Sequence, residues 1–291
     1  MDRVKEPQSV TIRMPATANL MLDAADRSGT EPSMFNFSIT RPQSILNGFF
    51  NRIATTEVVL EWDLPNISAV IGNNDFTVNV GGTSTTINLP TAFMTVKQCL
   101  DALVSLLNAA ATGVTFSITQ TNGVTSLTGS GAFFVEGGVL AFMLGIDTDV
   151  APATSFAIIQ PDLRQWRYLD FVSPNLTYNQ DLKDATTNTT SRDVLCRWYM
   201  DWEEQPQLDG YGFPILMSYT PFCARRLFNP PKQIRWDSIQ PVGQLTFQVY
   251  GAASLAVQAA GQEYELPVPM WIEYPNTGYS NWLMTLQVSE N

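Results

Sequence analysis

Apolar and polar residues alternate with a period of two in short runs along this 291-residue chain, and prolines, glycines and asparagines separate the runs. That period sends successive side chains to opposite faces of a strand, so one face can be buried while the other stays in water. Phe35-Asn36-Phe37-Ser38-Ile39 is a clean instance. Thr55–Trp62 places Val58, Leu60 and Trp62 on one face and stops before Pro65. From Ser155 onward the signal returns at Phe156–Ile159, Tyr168–Val172, Val194–Trp202, Ile215–Thr220, Leu245–Tyr250, Val268–Tyr274 and Trp282–Val288. About nine such segments, with no repeat of 20–50 residues, predict a two-layer sandwich or jelly roll and not a solenoid or propeller.

Residues 67–151 have another character: Lys97 is their one basic residue. Phe76, Val78 and Val80 alternate up to Gly81-Gly82, and Thr85–Leu89 returns, which predicts a hairpin. Thr95-Val96-Lys97-Gln98 has the form of a capping box. Val96, Leu100, Leu103, Leu107 and Ala110 then make one helical stripe, and Gly113 suits its end. Val114–Thr119 and Val124–Leu127 flank Asn122-Gly123, the pair that favours a type I′ turn, and Val139–Leu144 adds a short apolar run. The segment is expected to be a small hairpin-helix-hairpin α+β domain inserted into a sandwich built from 34–66 and 152–291. Residues 1–33, with little periodicity and with Pro7, Pro15, Gly29 and Pro32, are expected to be an arm lacking its own core. Thr186–Ser191 is expected to be a surface loop.

Composition narrows the chemistry. The chain has no histidine, which removes the usual general base near neutral pH, the Ser-His and Cys-His nucleophile pairs, and the commonest zinc ligand. Carboxylate and lysine chemistry remain open. A net charge of −11 argues against a general attraction to nucleic acid or anionic lipid. No apolar run of about 20 residues is present, and the first residues, Met1 to Pro7, carry no apolar stretch of signal-peptide type, so the chain is expected to be made in the cytosol. Cys99, Cys196 and Cys223 have no metal-ligand spacing and are expected to be buried free thiols. The sequons at Asn36, Asn66, Asn175 and Asn188 are read as chance matches. Charged residues are only 15%, which leaves more surface for neutral packed contacts and hints at assembly.

Two charged stretches stand out. Asp201, Glu203, Glu204 and Asp209 form an acidic patch, but adjacent glutamates on a strand point to opposite faces, which disfavours a glycosidase-type carboxylate pair. Arg225, Arg226, Lys232 and Arg235 form the local basic cluster, interleaved with Phe228 and Trp236. It suits phosphate groups or acidic protein surfaces, and the acidity of the whole molecule favours protein contacts. Gly129-Ser130-Gly131 lacks the third spaced glycine of a phosphate loop, and Asp147 with Asp149 lack the further ligands of a calcium loop. No catalytic, cofactor-binding or metal-binding residue is assigned. Trp166, Trp198, Trp202, Trp236, Trp271 and Trp282 are expected in the core or at subunit contacts, with a sugar-binding site as the other option.

The layout resembles the penton and minor capsid proteins of virophages, polinton-like viruses and nucleocytoplasmic large DNA viruses. The resemblance rests on the strands Phe35–Ile39 and Thr55–Trp62, the polar-uncharged insertion with its Thr95-led helix, and the closing strands Leu245–Tyr250, Val268–Tyr274 and Trp282–Val288. It implies a single jelly roll standing upright in an icosahedral shell, five copies closing a vertex, with no enzymatic activity. It also implies contacts with the major and other minor capsid proteins, and an insertion that projects outward toward a host receptor or a fibre. Neither specific nucleic-acid binding nor membrane insertion is expected. Because closed rings use two different patches of one surface, the 201–209 and 225–235 stretches are a candidate matching pair. The competing readings are a receptor-binding or fibre protein, another minor shell protein, and a carbohydrate-active enzyme on a β-sandwich.

Overall fold

The computed structural model describes residues 17–27, 33–40, 50–62, 65–69, 72–164, 166–177, 194–200, 204–216, 222–235, 243–253, 268–270 and 280–290. They form a mainly β protein. The first strands are β1 (Thr17–Asp23), β2 (Asn36–Thr40) and β3 (Arg52–Trp62). A middle group follows: β4 (Asp75–Val80), β5 (Thr83–Asn88), helix α1 (Val96–Ala109), β6 (Phe116–Thr121), β7 (Val124–Gly137), the short helix α2 (Val139–Met143) and β8 (Ala153–Ala157). Then come β9 (Trp166–Val172), the single turn α3 (Pro174–Thr177), β10 (Val194–Tyr199), β11 (Glu204–Leu208), β12 (Pro214–Leu216), β13 (Phe222–Leu227), β14 (Gln233–Arg235), β15 (Gln244–Ala253), β16 (Val268–Pro269) and β17 (Ser280–Ser289).

Ten of these strands make a jelly-roll sandwich of two five-stranded sheets. One sheet has the order β1-β17-β3-β13, with β14 continuing beside β3 past the end of β13. The other has β10-β9-β15, with β2 and then β16 along the far side of β15. All pairings are antiparallel, and apart from β9–β10, β13–β14 and β15–β16 chain neighbours in the sandwich cross between the sheets, as in the double-sheet jelly roll. The inward residues are the alternating set expected from sequence. Phe37, Ile39, Val58, Leu60, Leu245, Phe247, Val249, Trp282, Met284 and Leu286 are all buried in one cluster with Leu169, Phe171 and Trp198. Trp282 is its hub: its ring packs 5.2–5.7 Å from Phe37, Phe171 and Phe247, and its indole N–H donates to the Met34 carbonyl at 2.8 Å. The hydrogen bond removes the cost of burying the one polar atom of the ring.

The middle strands form a separate sheet, β5-β4-β7-β6 with β8 also on β7, over a second hydrophobic cluster. Its local signals hold. Gly81-Gly82 joins β4 to β5 with positive φ at both residues. Asn122 (φ 53°) and Gly123 (φ 79°) make the tight turn between β6 and β7. Thr95 accepts from the Gln98 amide while the Gln98 side chain accepts from the Thr95 amide, the reciprocal capping box. Val96, Leu100, Leu103 and Leu107 are buried along α1, whereas Ala110, counted in the same stripe, is exposed at its C-cap.

Several expectations change. Thr17–Asp23, placed in a coreless arm over 1–33, is a full strand on β17, with Leu22 and Ala24 in the sandwich core. Residues 1–16 lie outside the described residues. The Phe156–Ile159 segment pairs with β7, and Phe156, Ile158 and Leu163 fill the second cluster. It therefore belongs with the middle sheet and not with the sandwich, because its partner strand is β7. Cys99 and Cys196 are buried, but Cys223 is exposed, since its strand lies at a sheet edge. Asn66 is locked: its side-chain amide exchanges two hydrogen bonds with Met94, at 3.0 and 2.8 Å. The Thr186–Ser191 loop, Trp202, Trp236 and Trp271 fall outside the described residues; Trp166 and Trp198 are core residues.

Candidate subunit interface

The basic cluster is gathered along one flank of the sandwich by β3. β13 pairs with the second half of β3 and β14 with its first residues, so Arg225, Arg226, Lys232 and Arg235 follow one sheet edge, all four exposed. Strand alternation sends Cys223, Arg225 and Leu227 to the outer face, in line with Glu61, Val59 and Glu57 of β3. Arg225 Nε pairs with Glu57 Oε1. Arg226 stands opposite Val58, on the side that faces the other sheet. Lys232 Nζ donates to the Val194 carbonyl at 2.7 Å and so ties this flank to β10.

Of the acidic half of the expected pair, the structure describes the side chain of Asp209 alone. Asp209 sits in the turn between β11 and β12. Its Oδ1 accepts from the Tyr211 and Phe213 amides at 2.8 and 3.0 Å, and its Oδ2 from the Lys97 amide at 3.0 Å. That last bond satisfies a free N–H in the first turn of α1, where a carboxylate also gains from the helix dipole. Asp209 is thus committed within the chain and does not meet the basic flank. Glu204 lies in β11, and Asp201 and Glu203 fall outside the described residues. The carboxylate the flank does use, Glu57, was not singled out from sequence. Its signal was only its outward position among Glu57, Val59 and Glu61 in the β3 alternation.

Between the β10 edge of one sheet and the β13–β14 edge of the other is a cleft of about 500 Å³, lined in part by Cys196, Arg197, Phe228 and Lys232. Arg197 holds Asp170 by two bonds, at 2.7 and 2.8 Å, and stacks on the Tyr168 ring at 3.9 Å. Asp170 is buried, a position a carboxylate tolerates because both oxygens meet one planar guanidinium. Burial pushes the Cys196 thiol up to about 12, so its sulfur is protonated at neutral pH. The cleft offers cationic heads and hydrogen-bond donors. Among the described residues no group of three or more Cys, Asp or Glu side chains is placed to hold a metal ion, and no helix is long and apolar enough to cross a membrane.

A second polar seam joins the β11–β12 turn to the middle sheet. The Tyr211 hydroxyl donates to Asp101 at 2.5 Å, Lys97 pairs with Asp101 and lies over the Tyr211 ring, and Thr125 donates to the Tyr211 carbonyl at 2.9 Å. The bond to Asp101 and partial burial push the Tyr211 phenol up to about 12. The turn is therefore fastened at both of its ends to elements more than eighty residues away in the chain.

No protein-family model matches the sequence, and no curated protein matches it. Among the solved structures similar across nearly the whole chain are two from viruses. The Sputnik virophage, seen by cryo-electron microscopy, aligns over 94% of this chain and 98% of that one, at 9% identity and a TM-score of 0.46. The mavirus penton protein aligns over 96% of this chain and all of that one, at 11% identity and a TM-score of 0.50. Over 96% of its length the chain therefore shares the fold of the mavirus penton protein.

Proposed function

We propose that this chain is a structural capsid protein of a DNA virus, and that it is the penton, five copies of which close each icosahedral vertex. The observation that carries the reading is the likeness to the mavirus penton protein, which spans that protein completely and includes the middle sheet as well as the sandwich. The site geometry supports it. Among the described residues the sandwich carries an exposed basic edge with apolar residues beside it. Such a surface suits protein contacts, where arginine and apolar side chains are favoured.

On this reading the basic flank Arg225, Arg226, Lys232 and Arg235 is part of the contact with a neighbouring copy. The middle sheet, over its own core, is the module that projects from the shell toward a host receptor or fibre. The major capsid protein and other minor capsid proteins surround the ring in the virion, after synthesis in the host cytoplasm. The test is the mass of the assembled protein by native mass spectrometry and analytical ultracentrifugation. A particle of five chains of 32.2 kDa each is expected. A trimer would favour a fibre or major capsomer, and a monomer that turns over a glycan would overturn the capsid reading.

A further inference from the structure

Both outer edges of the β1-β17-β3-β13 sheet are exposed in the single chain. Met21 on β1 is 81% exposed and Leu227 on β13 is 58% exposed, two of the largest apolar exposures among the described residues. Among the described residues no strand pairs with the outer side of either. Edges of this kind are templates for a further strand.

The register across the sheet relates the two edges. Asp23 is opposite Leu283, Leu283 opposite Val59, and Val59 opposite Arg225, so Asp23 and Arg225 end one cross-strand row. Two residues along, Met21, Thr285, Glu57 and Leu227 form the next row on the same face. Further on, Asn19, Gln287, Ala54 and Gln233 form another. Each row thus ends in a complementary pair: acid with base, apolar with apolar, amide with amide. The strands alternate in direction, and there are four, so β1 and β13 run oppositely. In a ring whose axis runs along the strands, neighbouring copies keep the same sense and the same height. β1 of one copy then lies antiparallel to β13 of the next, with matching rows side by side.

We infer that the subunit contact of this protein is the β1 edge of one copy against the β13 edge of the next, with Met21 beside Leu227 and Asp23 beside Arg225. This deepens the ring reading and rests on it. The contact is heterologous, as a closed ring needs. It also replaces the acidic partner sought at 201–209 with Asp23, a residue about two hundred positions from Arg225 in the chain.

The test uses the full chain with Cys223→Ser, to which Met21→Cys and Leu227→Cys are added singly and together. Directly opposed residues of an antiparallel pair stand about 4.5–5.5 Å apart at Cα, within disulfide reach. Mild oxidation should give a covalent ladder that ends at the closed ring, and only when both cysteines are present. Rings of five chains by native mass without that ladder would overturn the edge contact while leaving the ring. Monomer throughout would overturn both. In parallel, Asp23→Lys and Arg225→Glu should each raise the dissociation constant on the order of tenfold, and the double variant should recover it. Asp23 also accepts from the Ala25 amide and Arg225 also pairs with Glu57, so local damage would persist in the double variant; recovery therefore supports the contact, and where affinity stays low the absence of the disulfide ladder is what overturns it.

Discussion

Asp209 makes a sharp test of how the β11–β12 turn is held to the middle sheet, because its two oxygens do different work. Oδ1 serves the turn through Tyr211 and Phe213, and Oδ2 serves α1 through Lys97. A hydrogen bond to a charged acceptor contributes about 1.5–3 kcal/mol. The carboxylate is half-buried, so the low end applies. Asp209→Ala loses all three bonds, and part of that loss is recovered by water at the opened site. A destabilisation of about 3–4 kcal/mol is expected. Asp209→Asn keeps one acceptor oxygen for the turn and puts an N–H against the Lys97 amide, so only the helix bond goes, at about 1–2 kcal/mol. Urea unfolding gives the totals, and hydrogen exchange separates the parts. The Lys97 amide should exchange faster in both variants, the Phe213 amide only in Asp209→Ala. Equal effects of the two substitutions, or unchanged exchange at Lys97, would refute the division of labour.

Three other outcomes follow from single observations. Gly145 has φ 64°, and a Cβ there would stand 1.8 Å from the Ile159 carbonyl oxygen, so Gly145→Ala should cost about 3 kcal/mol or more; near-native stability on thermal unfolding would contradict the backbone path between α2 and β8. Burial pushes the Cys99 and Cys196 thiols up to about 12, so a thiol reagent at pH 8 should titrate one sulfur, Cys223, in the native chain and three after unfolding; two fast sulfurs in the native state would be the wrong result. The Tyr211 phenol is held above its unfolded value of about 10, so its stabilisation is complete below that pH and is lost as pH rises toward 12. Urea midpoints of the native chain should therefore fall more steeply over that window than those of Tyr211→Phe, and parallel curves would sink the assignment.

Local elements were readable because their determinants lie within a few residues. The Thr95–Gln98 capping box, the Asn122-Gly123 turn and the alternation of Phe37 with Ile39 each form from neighbours in the chain, and each stands where the sequence puts it. β1 and β13 escaped because an edge strand buries little. In Thr17–Asp23 the outward Met21 breaks the apolar alternation around Leu20 and Leu22, and in Phe222–Leu227 the two arginines hide it. Pairing decides such strands, and their partners β17 and β3 lie more than 150 residues away.

The same division holds for the candidate interface. The basic run at 225–235 is a fact of sequence, since proximity in the chain brings those charges together on β13 and β14. Which carboxylates they meet is a fact of tertiary structure. Asp209 turned inward because the first turn of α1 offered an unpaired N–H, and Glu57 came to Arg225 through the pairing of β3 with β13. Sequence by itself determined which faces are apolar and where the chain turns; the register of the sheets decided which distant side chains share a row, because hydrogen-bonded pairing sets heights that no local pattern encodes.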